Sequence, residues 1–293
     1  MYRVLITGIN GYIGQYLYLA RPEQFAVEGT VRQIDPAFVD YINPQIKLYQ
    51  LNLEQDIFYQ LDKIHIDILI HTAAMANLSA CQKNRKQAER INVIATESIA
   101  KYCAQSNTRM IYLSTDIVFD GEHAPYSEDD VPRPINVYGS TKLKGEQAVQ
   151  ENVTDHAIIR IALAMGRGKF NRKNFVDWMV EKIRKGEEIP LFIDEYRTAS
   201  AVKYLAQNIW KIALSNETGI FHQFGSSRLS RYEIGKLICE ELNLGMDLIH
   251  PVRAADMKDY PRPLDVSLET IRTVDGKNLV LPGIDEVIIE VVQ

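Results

Sequence analysis

Cysteine, long apolar runs and clustered positive charge are all scarce in this chain of 293 residues. The three cysteines, Cys81, Cys103 and Cys239, lie far apart and form no CxxC pair. Such a sparse, odd set is typical of a reducing compartment and argues against a disulfide framework or a zinc site. No stretch approaches the ~20 consecutive apolar residues that a membrane-spanning helix needs. We therefore expect no metal and no membrane insertion.

The formal net charge is -5, and no long run of Lys or Arg occurs. A protein that binds nucleic acid by neutralising phosphates usually carries a basic stripe, so nucleic acid is not an expected partner. The opening sequence MYRVLITGIN has neither a basic leader nor an apolar targeting segment. A cytoplasmic location is the resulting expectation.

The first half of the chain alternates short apolar runs with amphipathic stretches. The apolar runs predict strands at residues 3–7, 25–31, 46–51, 67–72, 109–114 and 156–161. Helical patterns lie between them, at residues 12–20, 85–105 and 142–150. Because the strands of a parallel sheet are covered on both faces, their continuously apolar character predicts a doubly wound α/β fold.

Beyond about residue 164 the rhythm changes, and we expect a first domain over residues 1–164 and a smaller α/β lobe over 165–293. Parts of this lobe are expected to return to the first domain. Its predicted elements are helices at 174–185, 201–214 and 230–242 and strands at 188–192 and 220–224. The terminal run 288–292 is expected to pack on the body or to contact a second copy in a homodimer. Trp178 and Trp210 fall on apolar helix faces and are predicted to lie in the core.

Residues 7–14, TGINGYIG, stand between the first predicted strand and the first predicted helix. Glycines there let the chain turn sharply and let the backbone approach a pyrophosphate, whose charge then faces the helix N-terminus. The spacing is Gly-x-x-Gly-x-x-Gly, and the alternative interpretation is a strand–helix turn without a ligand. The strand–helix context favours a dinucleotide site.

The end of the second predicted strand should meet the adenosine ribose of such a cofactor. An acidic residue there would favour NAD, but the strand ends at Arg32 and no acid occurs before Asp35. Arg32 is suited to a forked contact with a 2′-phosphate, while a solvated surface arginine is the ordinary alternative. We therefore expect NADP(H) to be the preferred cofactor and NAD(H) to be the alternative.

Tyr138 and Lys142 are four residues apart, so on a helix they share a face. A nearby ammonium and an oxidised nicotinamide would favour the phenolate and draw the tyrosine pKa down from its usual ~10. Such a pair also occurs by chance on solvated helices. Thr115 ends a predicted strand 23 residues before Tyr138, at the edge where ligands of open α/β sheets gather. Together the three residues predict a catalytic site.

The segments TGINGYIG, HTAA, STDIVFDG and NVYGSTKLKGE resemble the extended short-chain dehydrogenase/reductase superfamily, and within it the dTDP-4-dehydrorhamnose reductase family. The resemblance covers most of the chain, including residues 173–175 and 262–268. It implies a Rossmann-type doubly wound parallel sheet with a smaller C-terminal α/β substrate lobe. The implied reaction is hydride transfer from NADPH to a nucleotide-linked 4-keto-6-deoxy sugar, as in dTDP-rhamnose biosynthesis.

The resemblance also assigns roles to residues. It implies that Tyr138 is the proton donor, that Lys142 activates it and binds the ribose, and that Thr115 binds the substrate oxygen. Asp116 and Asn174 would face the sugar nucleotide. With the glycine-loop argument, the full cofactor-binding set is Gly8, Asn10, Gly11, Tyr12, Ile13, Gly14, Arg32, Asn52, Leu53, Thr72, Ala73, Ala74, Tyr138 and Lys142.

Two arginines of the second lobe, Arg197 and Arg262, are the candidate cations for the substrate diphosphate. Arginine is suited to bidentate phosphate contact, and the ordinary alternative for each is a surface position or an ion pair within the protein. His222 and Cys81 are expected to have structural roles.

Two departures from the family pattern leave the sugar open. Rhamnose-type reductases carry Arg-Thr-Ser-Trp where this chain has Leu163 in the tryptophan position, and residues 75–81 lack the expected acids. A non-catalytic NADP-binding regulatory subunit resembling the methionine adenosyltransferase β subunit therefore remains an alternative, as does a nucleotide-sugar epimerase. A 4,6-dehydratase is disfavoured, because Asp116 is followed by Ile117 and not by a second carboxylate.

Overall fold

The computed structural model describes residues 2–55, 57–61, 64–257 and 259–293. The first part of the chain alternates strands with helices, as its apolar runs predict. In chain order the elements are β1 (Arg3–Thr7), α1 (Tyr12–Leu19), β2 (Ala26–Val31), α2 (Pro36–Ile42), β3 (Leu48–Gln50), α3 (Phe58–Leu61), β4 (Ile68–His71), α4 (Leu78–Lys83), α5 (Arg85–Glu89), α6 (Ala95–Ser106), β5 (Arg109–Thr115), α7 (Val137–Asn152) and β6 (His156–Ile161).

The second part has shorter strands, most of them paired in twos. Its elements are β7 (Ala164–Met165), α8 (Phe175–Arg184), β8 (Ile189–Phe192), β9 (Tyr196–Arg197), β10 (Ser200–Ala201), α9 (Val202–Leu214), β11 (Gly219–Gln223), β12 (Leu229–Ser230), α10 (Arg231–Glu241), β13 (Ile249–Val252) and α11 (Ile288–Val292). Helix α10 begins with a capping box formed by Ser230 and Glu233.

Seven strands form the main sheet in the order β11-β6-β5-β4-β1-β2-β3, and the neighbouring strands are parallel. The chain thus steps outward from β1 in one direction, then crosses to the other side of it and continues. This is the doubly wound topology that the sequence predicts, and the expected fold class is confirmed. Because all strands run the same way, β1, β4 and β5 end at one edge, at Thr7, His71 and Thr115.

Each face of the main sheet buries its own apolar cluster. On one face, Ile6 and Ile70 of the sheet pack with Leu205 and Ile209 of α9, so a helix from the second part covers the first. Trp210 of the same helix is buried, as predicted, and its indole Nε1 donates to the carbonyl of Leu17 at 2.8 Å. Burial of such large side chains stabilises each element by about 1.5–3 kcal/mol per residue.

On the other face, Leu5, Leu69 and Tyr112 pack against Ile99 of α6 and Val149 of α7. The two faces fix α6 and α7 beside the carboxyl edge, where β5 delivers Thr115. The predicted helix over residues 85–105 is interrupted by a π-helical turn at Arg90–Ile94. Among the described residues, no helix is long and apolar enough to cross a membrane.

Candidate active site

A cleft of about 460 Å³, here called the first cleft, lies among the loops that follow β1, β2, β3 and β4. It gathers every residue before position 75 that the sequence assigns to the cofactor. These are Gly8, Asn10, Gly11, Tyr12, Ile13, Gly14, Arg32, Asn52, Leu53, Thr72, Ala73 and Ala74. The wall also contains Glu54 and Arg172, which the sequence does not predict. Arg32 lies 3.4 Å from the Glu54 carboxylate.

The glycine loop is tight enough to exclude larger residues. A Cβ on Gly14 would lie 2.5 Å from the carbonyl oxygen of Gly8 and 2.8 Å from Cα of Ile9, both backbone atoms. Helix α1 begins after Gly11, which offers no side chain to cap it. The first amide groups of the helix are therefore available at the cleft, and such amides attract phosphate oxygens. The residues present fit a dinucleotide.

Thr7 and His71, which the sequence analysis does not single out, hold the loop after β4. The Thr7 hydroxyl lies 2.7 Å from His71 Nδ1 and accepts hydrogen bonds from the amides of Thr72 (3.2 Å) and Ala73 (3.3 Å). Burial and the Lys142 ammonium lower the pKa of His71 to about 3, so this imidazole is neutral at neutral pH.

Asn92 extends this support from the π-helical turn. Its amide oxygen accepts from the Met75 amide at 2.8 Å, and its amide nitrogen donates to the Met75 carbonyl and to Thr141, each at 3.0 Å. The turn departs from α-helical geometry where this side chain reaches the loop, and π-turns often mark functional sites. The separation of 17 residues hides the contact from a local reading of the sequence.

Thr115 and Tyr138 come together as the sequence predicts. The Thr115 hydroxyl lies near enough to the Tyr138 phenol to lower its pKa in part. It also donates to Asp116 at 3.0 Å and accepts from the Ile117 amide at 3.2 Å. Burial, reinforced by the nearby Asp116 carboxylate, raises the pKa of Tyr138 above its ordinary value. Tyr138 is thus a protonated phenol at neutral pH.

Helix α7 begins after Asn136, whose side chain accepts from the Gly139 amide at 2.9 Å. The helix therefore carries both Tyr138 and Lys142. The Lys142 ammonium, however, lies 3.9 Å from the centroid of the Tyr112 ring. Burial lowers the pKa of Lys142 to about 7, although Glu146 acts in the opposite direction. The lysine does not depress the pKa of Tyr138 in this arrangement, which differs from the expectation for the pair.

A second cleft of about 580 Å³ adjoins the first, and Ala76 lines both. The segment after β4 supplies Asn77, Leu78 and Ser79 to its wall, and residues from position 163 onward supply the remainder. Those residues are aromatic, apolar or charged: Leu163, Phe175, Trp178, Pro190, Leu191, Phe192, Glu195, Arg231, Tyr260 and Arg262. Among the described residues, the walls of the two clefts do not include Thr115, Tyr138 or Lys142.

Of the two predicted diphosphate cations, Arg262 lines the second cleft and Arg197 does not. Arg197 is buried, donates to the carbonyls of Tyr196 and Pro263, and lies 3.6 Å from both Asp116 and Glu195. Its guanidinium holds two buried carboxylates, which is the ion-pair alternative to a substrate contact. The prediction for Arg197 is corrected accordingly.

Arg231 is the cleft-lining cation that the sequence analysis misses. It lies at the start of α10, where its Nε is 3.1 Å from Glu195, and its guanidinium is 5.3 Å from the ring of Phe175. Asp116 does not line either cleft; burial raises its pKa, while Arg197 opposes that change.

Two further expectations need correction. Asn174 was expected to face the sugar, but its side chain caps α8, accepting from the amides of Val176 (2.8 Å) and Asp177 (3.3 Å). Trp178 was expected in the core, but it is 38% exposed and lines the second cleft together with Leu163. The periodicity of α8 identifies its apolar face but cannot show that this face ends at an open cleft.

The topology of the sheet and the spacing of Tyr138 and Lys142 on α7 are those of the extended short-chain dehydrogenase/reductase superfamily. A narrower assignment follows from the sequence as a whole. The model of the RmlD substrate binding domain family matches residues 2–282, and the chain belongs to that family. The family predicted from the motifs is confirmed.

Individual relatives include reductases and a subunit of methionine adenosyltransferase 2. The chain is 31% identical to a probable low-salt glycan biosynthesis reductase of Haloferax volcanii, over 89% of each chain. It is 29% identical to methionine adenosyltransferase 2 subunit beta of Bos taurus, over 92% of this chain and 81% of that protein. Among solved structures, dTDP-4-dehydrorhamnose reductase of Bacillus anthracis in complex with NADP is 26% identical, with a TM-score of 0.83 and 98% and 97% of the two chains covered.

Proposed function

We propose that this protein is an NADP(H)-dependent reductase of a nucleotide-linked 4-keto-6-deoxy sugar. The observation that carries the proposal is the proximity of the Thr115 hydroxyl to the Tyr138 phenol, with Lys142 one helical turn further along α7. Similarity to reductases, one of them solved with NADP, supports the reaction class. Gly8, Asn10–Gly14, Arg32, Asn52, Leu53 and Thr72–Ala74 would hold the dinucleotide in the first cleft.

The bound dinucleotide would supply hydride to the keto carbon of the sugar. Reduction also needs a proton for the oxygen of that carbonyl, and the chain itself provides a proton donor in Tyr138. Because its pKa is raised by burial and by Asp116, the phenol keeps its proton until charge develops on the acceptor. Thr115 lies beside the phenol, and its hydroxyl, which donates to Asp116 in this structure, would donate to the same substrate oxygen instead.

Lys142 lies four residues after Tyr138 on the same helix, α7. With a pKa near 7 it can hold or release a proton at neutral pH. Its distance of 3.9 Å from the Tyr112 ring centroid keeps the ammonium on the sheet side of α7.

The second cleft suits a nucleotide sugar. Arg231 and Arg262 would meet the diphosphate, since arginine binds phosphate oxygens through a planar fork. Trp178 and Phe175 offer aromatic surface in the cleft that also contains Leu163, where rhamnose-type reductases carry tryptophan. We propose that this aromatic surface, supplied by α8, takes the place of the missing tryptophan.

The decisive variant is Tyr138→Phe, which removes the phenolic proton and keeps the ring. With NADPH and a dTDP-4-keto-6-deoxy sugar, kcat should fall by about 10²–10⁴ while cofactor affinity is retained. Tyr204→Phe is the matched control, because it also deletes a phenolic hydroxyl. That hydroxyl donates to Glu290 at 3.0 Å, and Tyr204 lines neither cleft. Failure of the wild type to oxidise NADPH with any of a panel of nucleotide keto-sugars would remove the proposal.

A second candidate is a regulatory subunit that binds the cofactor without turnover. It is favoured by the 29% identity to methionine adenosyltransferase 2 subunit beta, over 92% of this chain. In that case the protein should change the activity of a copurifying enzyme, and Tyr138→Phe should leave this effect intact. Reduction of a nucleotide sugar by the isolated protein at an ordinary enzymatic rate would argue against a purely regulatory role.

A further inference from the structure

A segment of the second lobe, here called the strap (residues 166–173), joins β7 to α8 and runs across the first domain beside the glycine loop. Two tyrosines of α1 hold its start, because the Tyr12 hydroxyl donates to the Gly166 carbonyl (3.2 Å) and the Tyr16 hydroxyl to the Arg167 carbonyl (2.8 Å). These contacts join residues about 150 positions apart. The strap is therefore fixed to helix α1, which follows the glycine loop of the first cleft.

The middle of the strap is anchored on α2. The Phe170 ring packs against Phe38 and Tyr41, with ring centroids 5.4 and 5.2 Å apart. Phe38 is buried in the main core, so this aromatic contact ties the strap to the same domain that forms the glycine loop. Aromatic pairs of this kind contribute about 0.5–1.5 kcal/mol beyond the area they bury.

The strap then turns back on itself in a way that only glycine allows. A Cβ on Gly168 would lie 1.4 Å from the carbonyl oxygen of Arg172, and the Gly168 amide donates to Asp177 at 2.6 Å. The Arg172 amide in turn donates to the carbonyl of Lys169 at 2.9 Å. This turn delivers Arg172 into the wall of the first cleft.

Arg172 arrives there with part of its guanidinium uncommitted. Its Nε donates to the carbonyl of Asn10, in the glycine loop, at 2.7 Å. Within the part of the chain that the structure describes, its two terminal nitrogens have no hydrogen-bond partner and no carboxylate within 4.0 Å. The Nε of the guanidinium is thus held by the glycine loop, and its two terminal nitrogens remain available to a ligand.

The charges in the wall of the first cleft indicate which ligand the terminal nitrogens of Arg172 can bind. The charged residues in its wall are Arg32, Glu54 and Arg172. Arg32 lies 3.4 Å from Glu54, which offsets its charge, so Arg172 supplies the net positive charge of the cleft. A guanidinium with free N–H groups beside a glycine loop is suited to phosphate oxygens.

We propose that Arg172 binds a phosphate group of the dinucleotide, so that the strap contributes a second cation to a cofactor site otherwise formed by the first domain. The inference rests on the proposed function, because it requires the first cleft to bind a nicotinamide dinucleotide. Two phosphates share the required chemistry: the pyrophosphate and the 2′-phosphate of NADP. The consequence is that cofactor affinity depends on the second lobe.

The test measures dissociation constants of NADPH and NADH by titration calorimetry for the wild type, Arg172→Ala and Arg184→Ala. Arg184 is the matched control, since it is an exposed arginine near the strap that lies outside the first cleft. Arg172→Ala should weaken NADPH by roughly 10- to 100-fold, as for loss of a charge-assisted contact, and Arg184→Ala should not.

Comparing the affinities for NADPH and NADH shows which of the two phosphate groups Arg172 binds. An equal loss for NADPH and NADH identifies the pyrophosphate, whereas a loss confined to NADPH identifies the 2′-phosphate. Phe170→Ala, which keeps the charge and removes the anchor, should give a smaller loss in the same pattern. Unchanged affinities in Arg172→Ala, or equal losses in Arg172→Ala and Arg184→Ala, would overturn the proposal. Absence of binding to the wild type would instead remove the proposed function.

Discussion

The first and second clefts share Ala76 but differ in how their walls are assembled. Most of the first cleft comes from short loops that directly follow neighbouring parallel strands. The second cleft collects side chains from α8, β8, α10 and the segment near Arg262, which lie far apart in the sequence. The sheet fixes the position of a loop that directly follows one of its strands. The geometry of a cleft between packed helices depends instead on contacts between residues that are far apart in the sequence.

That difference decides which polar residues are available to ligands. In the first cleft Arg32 and Asn52 line the wall, as their positions after strands suggest. Beyond residue 164, Arg197 and Asn174 stabilise the protein itself, one between two carboxylates and one as a helix cap. The two halves should therefore respond differently to substitution.

Gly14→Val is the variant expected to distinguish the two clefts most strongly, because it should weaken binding at the first cleft only. The new Cβ would lie 2.5 Å from the Gly8 carbonyl oxygen, so the glycine loop must shift. Affinity for NADPH should fall by about 100-fold or more, because the backbone can no longer approach the pyrophosphate. Calorimetry with NADPH measures this loss, and dTDP binding at the second cleft is the internal control. Loss of both affinities would show that the two clefts do not respond separately.

The next prediction concerns Arg197, which the sequence suggested as a substrate contact. Arg197→Met leaves Asp116 and Glu195 buried without their shared cation, at a cost of about 3–5 kcal/mol of unfolding free energy. Urea denaturation measures this change. Arg228→Met is the control, because its partly exposed pair with Asp265 should contribute at most about 1 kcal/mol. A stable Arg197→Met protein with a raised substrate KM would restore the sequence-based assignment.

These contrasts also mark what sequence could foresee. Local patterns give β1 and β6 with the bounds that the structure has, and the motif after β1 gives the glycine-loop residues of the first cleft. The Thr115–Tyr138 contact also follows from sequence, since a strand end and a helix start are each locally encoded. In these cases the strand order alone converts position in the chain into position in space.

What sequence could not foresee depends on partners that are remote in the chain. The π-helical turn forms where Asn92 binds Met75, and Arg172 reaches the glycine loop across 162 positions. The Lys142 ammonium lies over Tyr112, 30 residues away, so its pKa is set by burial and not by Tyr138. Trp178 resembles a core residue until the neighbouring elements are placed around it.

A change at Trp178 should act on the second cleft alone. Trp178→Ala removes an aromatic surface that is 38% exposed in the cleft wall, so KM for the sugar nucleotide should rise roughly tenfold, or about 1.4 kcal/mol. Trp178→Phe should retain most of the affinity. Steady-state kinetics at saturating NADPH gives the result, and an unchanged KM in both variants would exclude Trp178 from substrate binding.

The last prediction concerns Lys142, whose ammonium lies over the Tyr112 ring of the sheet. The unfolded chain keeps the lysine proton up to the ordinary pKa of 10.5, but the folded protein releases it above about 7. Between these values unfolding takes up a proton, so stability should rise with pH, by at most about 1.4 kcal/mol per unit. Below pH 7 both states hold the proton and this contribution to the slope disappears.

Lys142→Met removes that titration and should flatten the rise, whereas Lys203→Met, at an exposed lysine, should leave it unchanged. Urea denaturation of the three proteins at several values between pH 7 and 9 measures the difference in slope, which cancels groups that titrate equally in all of them. An identical slope in the wild type and Lys142→Met would mean that Lys142 keeps its ordinary pKa. The ammonium would then remain charged through neutral pH and would be free to lower the pKa of Tyr138, as the four-residue spacing first suggested.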